Sequence, residues 1–165
     1  MNKIIIAALL SFFIAAPALA ATTPATPAGS IGLNYSVDSV LGIQGEFNIS
    51  SMTNHAPVSV QVFWKNYTQN LAPYASWATT AIGVAGIYDF SALTKMDKKV
   101  HPYAGVGLMS VTYSWRGAGP SWQYNGVDGG LYVTAGVRYS LTPQMAADFN
   151  YNNFGDLTAG LNFSF

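Results

Sequence analysis

The chain has 165 residues, of which 50% are hydrophobic, 14% aromatic and only 8% charged, with seven basic and seven acidic side chains and no cysteine. Soluble domains carry about 25% charged residues, the neutral balance disfavours a nucleic-acid partner, and the abundant aromatic residues disfavour disorder. Beyond residue 20 no apolar run approaches the ~20 residues of a membrane-spanning helix, so a membrane β-barrel or a charge-poor soluble β-domain remains.

The first segment, residues 1–20, has the three parts of a secretory signal peptide. A basic start at Lys3 precedes an apolar run, Ile4 to Ala16, and the small-x-small pattern Ala18-Leu19-Ala20. We therefore expect export and cleavage directly after this pattern. Residues 21–29, which contain two prolines, are predicted to form a flexible leader, and residues 30–165 remain for the folded domain.

From Ile31 to the C-terminus, apolar and polar side chains alternate with period two, which is typical of strands with one buried face. In the last strand, for example, Leu157, Leu161 and Phe163 share one face. Proline lacks the N–H that a sheet requires, and the prolines of this region avoid strand interiors. The pattern predicts an all-β domain with eight strands, at roughly 30–37, 40–50, 58–67, 78–90, 102–115, 127–141, 145–153 and 156–165.

The fifth predicted strand has an ambiguous alternation. If Val111, Tyr113 and Trp115 face outward, then Val106 and Leu108 must face inward. The nearby Gly105 and Gly107 are interpreted as a bend or a bulge.

The polar faces of the strands carry mainly Gly, Ser, Thr, Asn and Gln. A water-facing surface carries many Lys and Glu, whereas the interior of a small membrane barrel is narrow and polar. Eight is an even strand number, and most strands are close to the ~9–11 residues that cross a bilayer at a tilt. We predict an antiparallel, up-and-down transmembrane β-barrel with its apolar face toward lipid. The rival interpretation is a soluble barrel whose apolar face surrounds a ligand.

Tryptophan and tyrosine side chains cluster at the two longer outer loops, which are predicted near residues 68–77 and 116–126. An aromatic girdle at the lipid–water boundary is the favoured interpretation, and an outer rim that binds a surface ligand is the alternative. The residues of this predicted outer aromatic rim are Trp64, Tyr67, Tyr74, Trp77, Trp115, Trp122 and Tyr124.

Five charged side chains point into the predicted lumen by parity: Glu46, Lys65, Asp89, Arg138 and Asp148. Arg138 and Asp148 lie symmetrically about Pro143, so the hairpin sets them nearly opposite each other. Charges in a narrow interior must pair or meet water. We therefore expect a salt-bridge network that plugs the barrel. The more specific alternative is that this network is an ion-conducting gate.

The second half of the chain resembles small eight-stranded outer-membrane barrels of the opacity protein and neisserial surface protein A type, within the wider OmpA/OmpX-like group. The resemblance rests on Ile87-Tyr88-Asp89-Phe90, Pro102-Tyr103-Ala104-Gly105-Val106-Gly107-Leu108, Gly136-Val137-Arg138-Tyr139-Ser140-Leu141-Thr142-Pro143 and the final nine residues. It implies a monomer in the outer membrane of a Gram-negative bacterium, in contact with outer-membrane lipids and lipopolysaccharide. The ending Leu161, Phe163 and Phe165 resembles the signal that the barrel-assembly machinery recognises.

Members of such a group serve as adhesins, lipid binders, small pores or structural proteins, so the fold does not give the function. We expect a structural or surface-interaction role, adhesin-like or lipid-contacting. The alternative is a narrow pore or a carrier of small solutes or apolar molecules, which is favoured if Val106 and Leu108 line a cavity.

An enzymatic role is not expected. The two histidines, His55 and His101, fall in predicted inner turns, away from the outer leaflet. Their spacing and the absence of cysteine do not suggest a metal site, and no cofactor is expected because no phosphate-binding glycine loop is present. The sequence also shows no nucleophile, base and orienting group that would be expected to assemble.

Overall fold

The computed structural model describes residues 28–36, 40–53, 56–72, 75–94, 96–117, 123–154 and 156–165. It contains eight strands in one closed antiparallel barrel, in which neighbours in the chain pair and β1 pairs with β8. The strands are β1 (Gly29–Ser36), β2 (Leu41–Asn48), β3 (Val58–Ala72), β4 (Ala75–Asp89), β5 (Val100–Arg116), β6 (Gln123–Thr142), β7 (Met145–Asn152) and β8 (Asp156–Ser164). The predicted fold class is confirmed. The predicted signal peptide and most of the leader lie outside the described residues.

The two faces of the barrel differ in the way that the alternation predicts. Outward side chains such as Ile82, Leu131 and Phe149 are each more than half exposed, whereas inward Gln61 and Asn152 are buried. The apolar face therefore points outward, unlike that of a soluble barrel that carries a ligand inside. In the part of the chain that the structure describes, no helix has the length and apolar character to cross a membrane.

The structure decides the ambiguous alternation of β5 in the opposite sense to the arrangement considered from the sequence, and it shows no bulge. Val106 and Leu108 are 57% and 67% exposed and face outward, whereas Val111 is 5% exposed and faces the lumen. The pairing of β5 with both neighbours runs without a register shift, so Gly105 and Gly107 mark neither a bend nor a bulge. Instead these glycines face inward, where added Cβ atoms would collide with the Ile87 side chain and the Val84 carbonyl, respectively.

The strands fall into a long and a short group. The strands β3–β6 have 15 to 20 residues each, and the other four have eight or nine. Pairing with the short strands ends at Leu41↔Asn66 on one side and at Thr134↔Asn152 on the other. Beyond these pairs β3–β6 continue as a four-stranded sheet, here called the projecting sheet: residues 67–72, 75–81, 109–116 and 123–130.

The two ends of the barrel are thus unlike. At the end where β1 begins and β8 ends, here called the terminal end, reciprocal backbone hydrogen bonds of 3.0 and 3.2 Å join Gly29 and Phe165. The opposite end, here called the loop end, carries the projecting sheet. In the two longer outer loops predicted from the sequence, most of the described residues belong to strands of this sheet.

The lumen contains an apolar cluster as well as polar groups. Phe63, Ala85, Ile87, Tyr103 and Tyr132 are buried together on the β3–β6 side. The Phe63 and Tyr132 ring centroids are 4.1 Å apart. Gly83 leaves room for the Phe63 ring, because a Cβ at this position would collide with it. Small residues on one strand therefore leave room for large side chains of the neighbouring strand.

Candidate functional sites in the lumen and at its two ends

A charged pair spans the lumen at its terminal half. Arg138 on β6 donates to both carboxylate oxygens of Glu46 on β2, at 3.0 Å from Nη1 and 2.5 Å from Nη2. The Ser59 hydroxyl donates to the same carboxylate at 2.5 Å. Bidentate guanidinium–carboxylate pairs are stronger than neutral hydrogen bonds and fix orientation as well. This contact therefore ties together opposite walls of the barrel.

Asp148 is the acceptor for a second set of donors. It pairs with Arg138 in the β6–β7 register, with Nε 3.8 Å from Oδ2. The Tyr103 hydroxyl donates to its other oxygen at 2.7 Å, and the Gln44 and Asn162 amides donate at 3.2 and 3.0 Å. A buried carboxylate requires such satisfaction, since an unpaired one is costly.

Lys65 and Asp89 lie apart from that network. Lys65 is 2% exposed and donates to the Tyr132 hydroxyl at 3.2 Å, with its ammonium 5.6 Å from the Phe63 ring centroid and 5.0 Å from that of Tyr132. Ammonium groups over aromatic faces are stabilised by the ring quadrupole. Of the five predicted lumen charges, the structure brings Glu46, Arg138 and Asp148 together and places Lys65 in a separate aromatic layer.

Asp89 instead belongs to a cluster at the terminal end, around His101. The His101 Nδ1 lies 3.0 Å from the Ser91 hydroxyl and 3.7 Å from the Asp89 carboxylate, and Nε2 lies 3.2 Å from the Ser140 hydroxyl. Ser91 donates to Asp89 and so accepts from Nδ1–H. Nε2, on the other side of the ring, is left for the hydrogen bond with the Ser140 hydroxyl.

We expected no nucleophile, base and orienting group to assemble, but the structure does place hydroxyl groups, an imidazole and a carboxylate next to one another. His101 lies in β5 rather than in a turn, and pairing with β6 and the end of β4 brings the hydroxyl and carboxylate groups to it. Asp89, His101 and Ser140 line a cavity of about 490 Å³, together with Glu46 and Arg138. His55 lies outside the described residues.

The predicted outer aromatic rim divides between the two faces. Trp64 points outward and is 36% exposed, which suits a lipid–water girdle. The rest of the described rim lies on the lumen-side face of the projecting sheet, because its members pair with one another or with buried Thr79: Tyr67, Trp77, Trp115 and Tyr124. A girdle is thus the wrong description for these four. Tyr74 and Trp122 lie outside the described residues.

Sequence reasoning missed one member of this inner aromatic face. Tyr113 pairs with Thr79, and its ring centroid is 6.1 Å from that of Trp77. The Trp77 indole donates to the Thr79 hydroxyl at 2.7 Å. The signal was present in the spacing of Tyr113 and Trp115, but the wrong face was assigned to both. Within the described ranges, no group of three or more His, Asp or Glu is placed to hold a metal ion.

A closed eight-stranded antiparallel barrel with buried polar side chains in its lumen and an apolar outer face is the architecture of small outer-membrane proteins. Residues 32–164 match the model of the family described as Opacity family porin protein. The chain belongs to this family of outer-membrane barrels. The family predicted from sequence motifs and the outer-membrane location are confirmed to that extent.

Solved structures show the same fold. Neisserial surface protein A is 23% identical, with a TM-score of 0.57, over 83% of this chain and 93% of that chain. The N-terminal β-barrel domain of Pseudomonas aeruginosa OprF is 14% identical, with a TM-score of 0.59, over 83% and 95%. Yersinia pestis Ail in a phospholipid bilayer nanodisc is 10% identical, with a TM-score of 0.53, over 85% and 100%. No curated protein sequence matches the chain.

Proposed function

We propose that the protein is a monomeric surface-interaction barrel whose ligand-contacting surface is the inner aromatic face of the projecting sheet: Tyr67, Trp77, Tyr113, Trp115 and Tyr124. In this proposal the loop end faces the cell exterior and the terminal end faces the periplasm, since outer-membrane barrels have short periplasmic turns. The proposed role is adhesin-like and needs no cofactor.

The single observation that carries the proposal is a reversal of polarity along β4 and β5. Within the barrel, the outward face is apolar, as at Ile82 and Leu108. In the projecting sheet, the outward face carries small polar residues such as Ser110 and Thr112, whereas the inward face carries Trp77 and Trp115. Large aromatic side chains gathered on one face of a sheet outside the membrane are typical of a surface that a ligand covers.

Aromatic side chains are suited to recognition. Tyr and Trp offer large contact areas at a small cost in side-chain entropy, and they are enriched at protein interfaces. Tyr124 is 63% exposed on this face. Tyr67 and Trp77 also present hydrogen-bonding tips, which are bonded to Gln69 and Thr79 at 2.9 and 2.7 Å, respectively.

The alternative of a pore or carrier has less support. Val106 and Leu108 face outward and line no lumenal cavity. The Glu46–Arg138–Asp148 network and the Lys65–Phe63–Tyr132 layer both occupy the lumen. An eight-stranded barrel has an interior only wide enough for side chains, so lumenal side chains at these two levels argue against free passage of a solute.

The proposal is tested with bacteria that display the barrel and adhere to cultured epithelial cells. Changing Trp77→Ala and Trp115→Ala together is expected to reduce adhesion to that of bacteria without the barrel. Trp64→Ala is the matched control, because Trp64 lies on the outward face, and it should leave adhesion unchanged. Equal adhesion by the wild type and the double variant, at equal surface amounts, would contradict the proposal.

Contact with lipid and assembly factors forms a second part of the proposal. The outward apolar band, which includes Leu161 and Phe163, packs against outer-membrane lipids and lipopolysaccharide, and the ending Leu161, Phe163 and Phe165 is read by the barrel-assembly machinery. Phe165 also bonds through its backbone to Gly29. Deleting Phe165 should lower the amount of assembled barrel in cells more than it lowers the stability of purified barrel refolded in lipid.

A further inference from the structure

The inner aromatic face of the projecting sheet also carries one carboxylate. Asp128 on β6 is exposed and pairs with Val111 on β5, which is 5% exposed and points inward. Side chains directly opposite each other in an antiparallel pair share a face, so Asp128 lies on the same side of the sheet as Tyr113 and Trp115. Among the described residues of this face, Asp128 is the one charged side chain.

The Tyr124 ring lies next to this carboxylate. Gly126 stands between Tyr124 and Asp128 on the same face of β6. A Cβ at Gly126 would lie only 3.0 Å from the Tyr124 hydroxyl oxygen and 3.1 Å from its ring. The Tyr124 side chain therefore leans along β6 over this glycine, toward Asp128. No side chain separates the ring from the carboxylate, because the residue between them is glycine.

A second ring reaches the same place from β5. Tyr113 pairs with Gly126 and is a diagonal neighbour of Asp128. Diagonal positions lie about 7–8 Å apart, which is within reach of aromatic side chains. Trp77 extends the aromatic surface behind Tyr113, with 6.1 Å between the ring centroids. Two tyrosines and one carboxylate therefore surround a glycine, and this group is here called the Asp128 site: Tyr113, Tyr124, Gly126 and Asp128.

The Asp128 carboxylate can accept further hydrogen bonds. Its Oδ1 accepts from the Gly129 backbone N–H at 2.8 Å. In the part of the chain that the structure describes, no basic nitrogen lies within 4.0 Å of this carboxylate. An ionised carboxylate has about four lone-pair sites, so most of them remain for water or a ligand.

The lumen of the same barrel shows what a tyrosine and an aspartate hold together. The Arg138 guanidinium lies 4.3 Å from the Tyr103 ring centroid, and its Nε lies 3.8 Å from an Asp148 oxygen. A guanidinium is planar and stacks on aromatic faces, while its N–H groups bond to a carboxylate. The Asp128 site offers the same two kinds of partner, and no described residue supplies a cation to it.

We propose that the Asp128 site binds an arginine side chain of a partner protein. The inference rests on the proposed surface-interaction role and names the chemistry that the adhesive surface recognises. The guanidinium lies over the Tyr113 and Tyr124 rings and donates to the Asp128 carboxylate. A lysine ammonium is a compact, strongly hydrated charge that does not stack on rings in this way, and an acidic partner would be repelled by the carboxylate.

The test uses the full barrel folded in lipid nanodiscs and Nα-acetyl-arginine amide as the probe. Binding is followed by the NMR signal of the Gly129 amide, whose N–H is bonded to the Asp128 carboxylate. Nα-acetyl-citrulline amide has the shape of the arginine probe without its charge, and it is expected to bind at least tenfold more weakly. Nα-acetyl-lysine amide should also bind more weakly than the arginine probe, because it lacks the planar group.

Asp128→Asn removes the charge, while its amide oxygen can still accept from the Gly129 N–H. This variant should bind the arginine probe at least fivefold more weakly and lose the preference over citrulline. Asp97→Asn is the matched control, because Asp97 is an exposed aspartate near the terminal end that also accepts from a backbone N–H, that of Lys99, at 3.0 Å. It should leave binding unchanged.

Three results would overturn the inference. The first is that the arginine probe does not bind the wild type. The second is that the citrulline or lysine probe binds as tightly as the arginine probe. The third is that Asp128→Asn and Asp97→Asn bind the arginine probe equally. On displaying bacteria, Asp128→Asn should also reduce adhesion relative to Asp97→Asn.

Failure of this inference is distinguishable from failure of the proposed function. If adhesion is lost in the Trp77→Ala, Trp115→Ala variant but the arginine probe does not bind, the adhesive surface stands and the Asp128 site is overturned. If the arginine probe binds as expected but the same double variant adheres normally, the Asp128 site stands and the proposed adhesive surface does not.

Discussion

Arg138 and Glu46 lie 92 positions apart in the chain, yet the guanidinium of one holds both carboxylate oxygens of the other across the lumen. The Arg138 guanidinium also stacks over the Tyr103 ring at 4.3 Å. Because Tyr103 donates to Asp148 at 2.7 Å, one side chain links strands β2, β5, β6 and β7.

Removing this guanidinium should destabilise the barrel more than any single hydrogen bond would suggest. Arg138→Ala leaves Glu46 and Asp148 buried without their cation, and breaking such a pair costs about 3–5 kcal/mol. Urea unfolding in lipid vesicles, followed by tryptophan fluorescence, measures the change. Adding Glu46→Gln to Arg138→Ala should recover part of the loss. Wild-type stability in the single variant would show that the network carries no stabilising role.

The barrel should be electrically silent in planar bilayers. The charged network and the Lys65 layer occupy the lumen in separate groups, so Arg138→Ala should also remain silent because the second layer stays in place. Single-channel recordings on purified barrel decide the matter. Discrete conductance steps in the wild type that change with Arg138→Ala would instead identify the network as a gate.

The orientation of β5 predicts a contrast between two arginine substitutions on its outward face. Leu108 lies within the apolar band and is 67% exposed, so Leu108→Arg should cost about 2–4 kcal/mol of folding free energy if it sits near the bilayer midplane. Ser114→Arg lies on the same face but in the projecting sheet, where the cost should fall to about 0–1 kcal/mol. Refolding titrations in vesicles compare the two. Equal costs would mean that the membrane boundary has been misplaced.

The His101 cluster is predicted to act as a structural tie between the turn after β4 and strand β6. His101→Ala should lower stability by about 1–2 kcal/mol, since it removes hydrogen bonds to Ser91 and Ser140 that are each worth roughly 0.5–1.5 kcal/mol. His101→Asn, which can keep one of these bonds, should lower it less.

The same cluster also allows a direct test of the non-enzymatic role. A fluorophosphonate probe, which labels activated serines, should not react with Ser140 in the folded barrel. Ser59 faces the same cavity and serves as the internal reference. Selective labelling of Ser140 that disappears in His101→Ala would establish a nucleophilic site and contradict a purely structural role.

The sequence predicts the barrel wall well where lipid and lumen impose opposite demands on the two faces. In β7, Phe149 and Tyr151 alternate with Asp148 and Asn150, and the structure places them outward and inward as expected. The pattern fails in the projecting sheet. In the outer part of β3, Thr68 and Gln69 are both compatible with water, so no alternation marks the strand, and residues 68–72 were assigned to a loop.

The sites follow the same logic. Arg138 and Asp148 could be paired from their spacing about a tight turn, because a hairpin register is a local property. Glu46 could not be assigned as the partner of Arg138, since that contact depends on barrel closure and on the tilt of strands distant in the chain. The face of Trp77 and Trp115 was missed because the polarity rule that holds in lipid reverses outside it.

The unequal strand lengths imply an order of events in forming and opening the barrel. The long strands β3–β6 follow one another in the chain and can pair as consecutive hairpins. The β1–β8 seam instead joins the two ends of the domain through only seven residue pairs. Chain entropy makes that distant pairing the last to form. The seam is therefore the weakest line of the wall, and amide exchange should begin there, at Leu33 and Leu161, before it reaches β5 and β6.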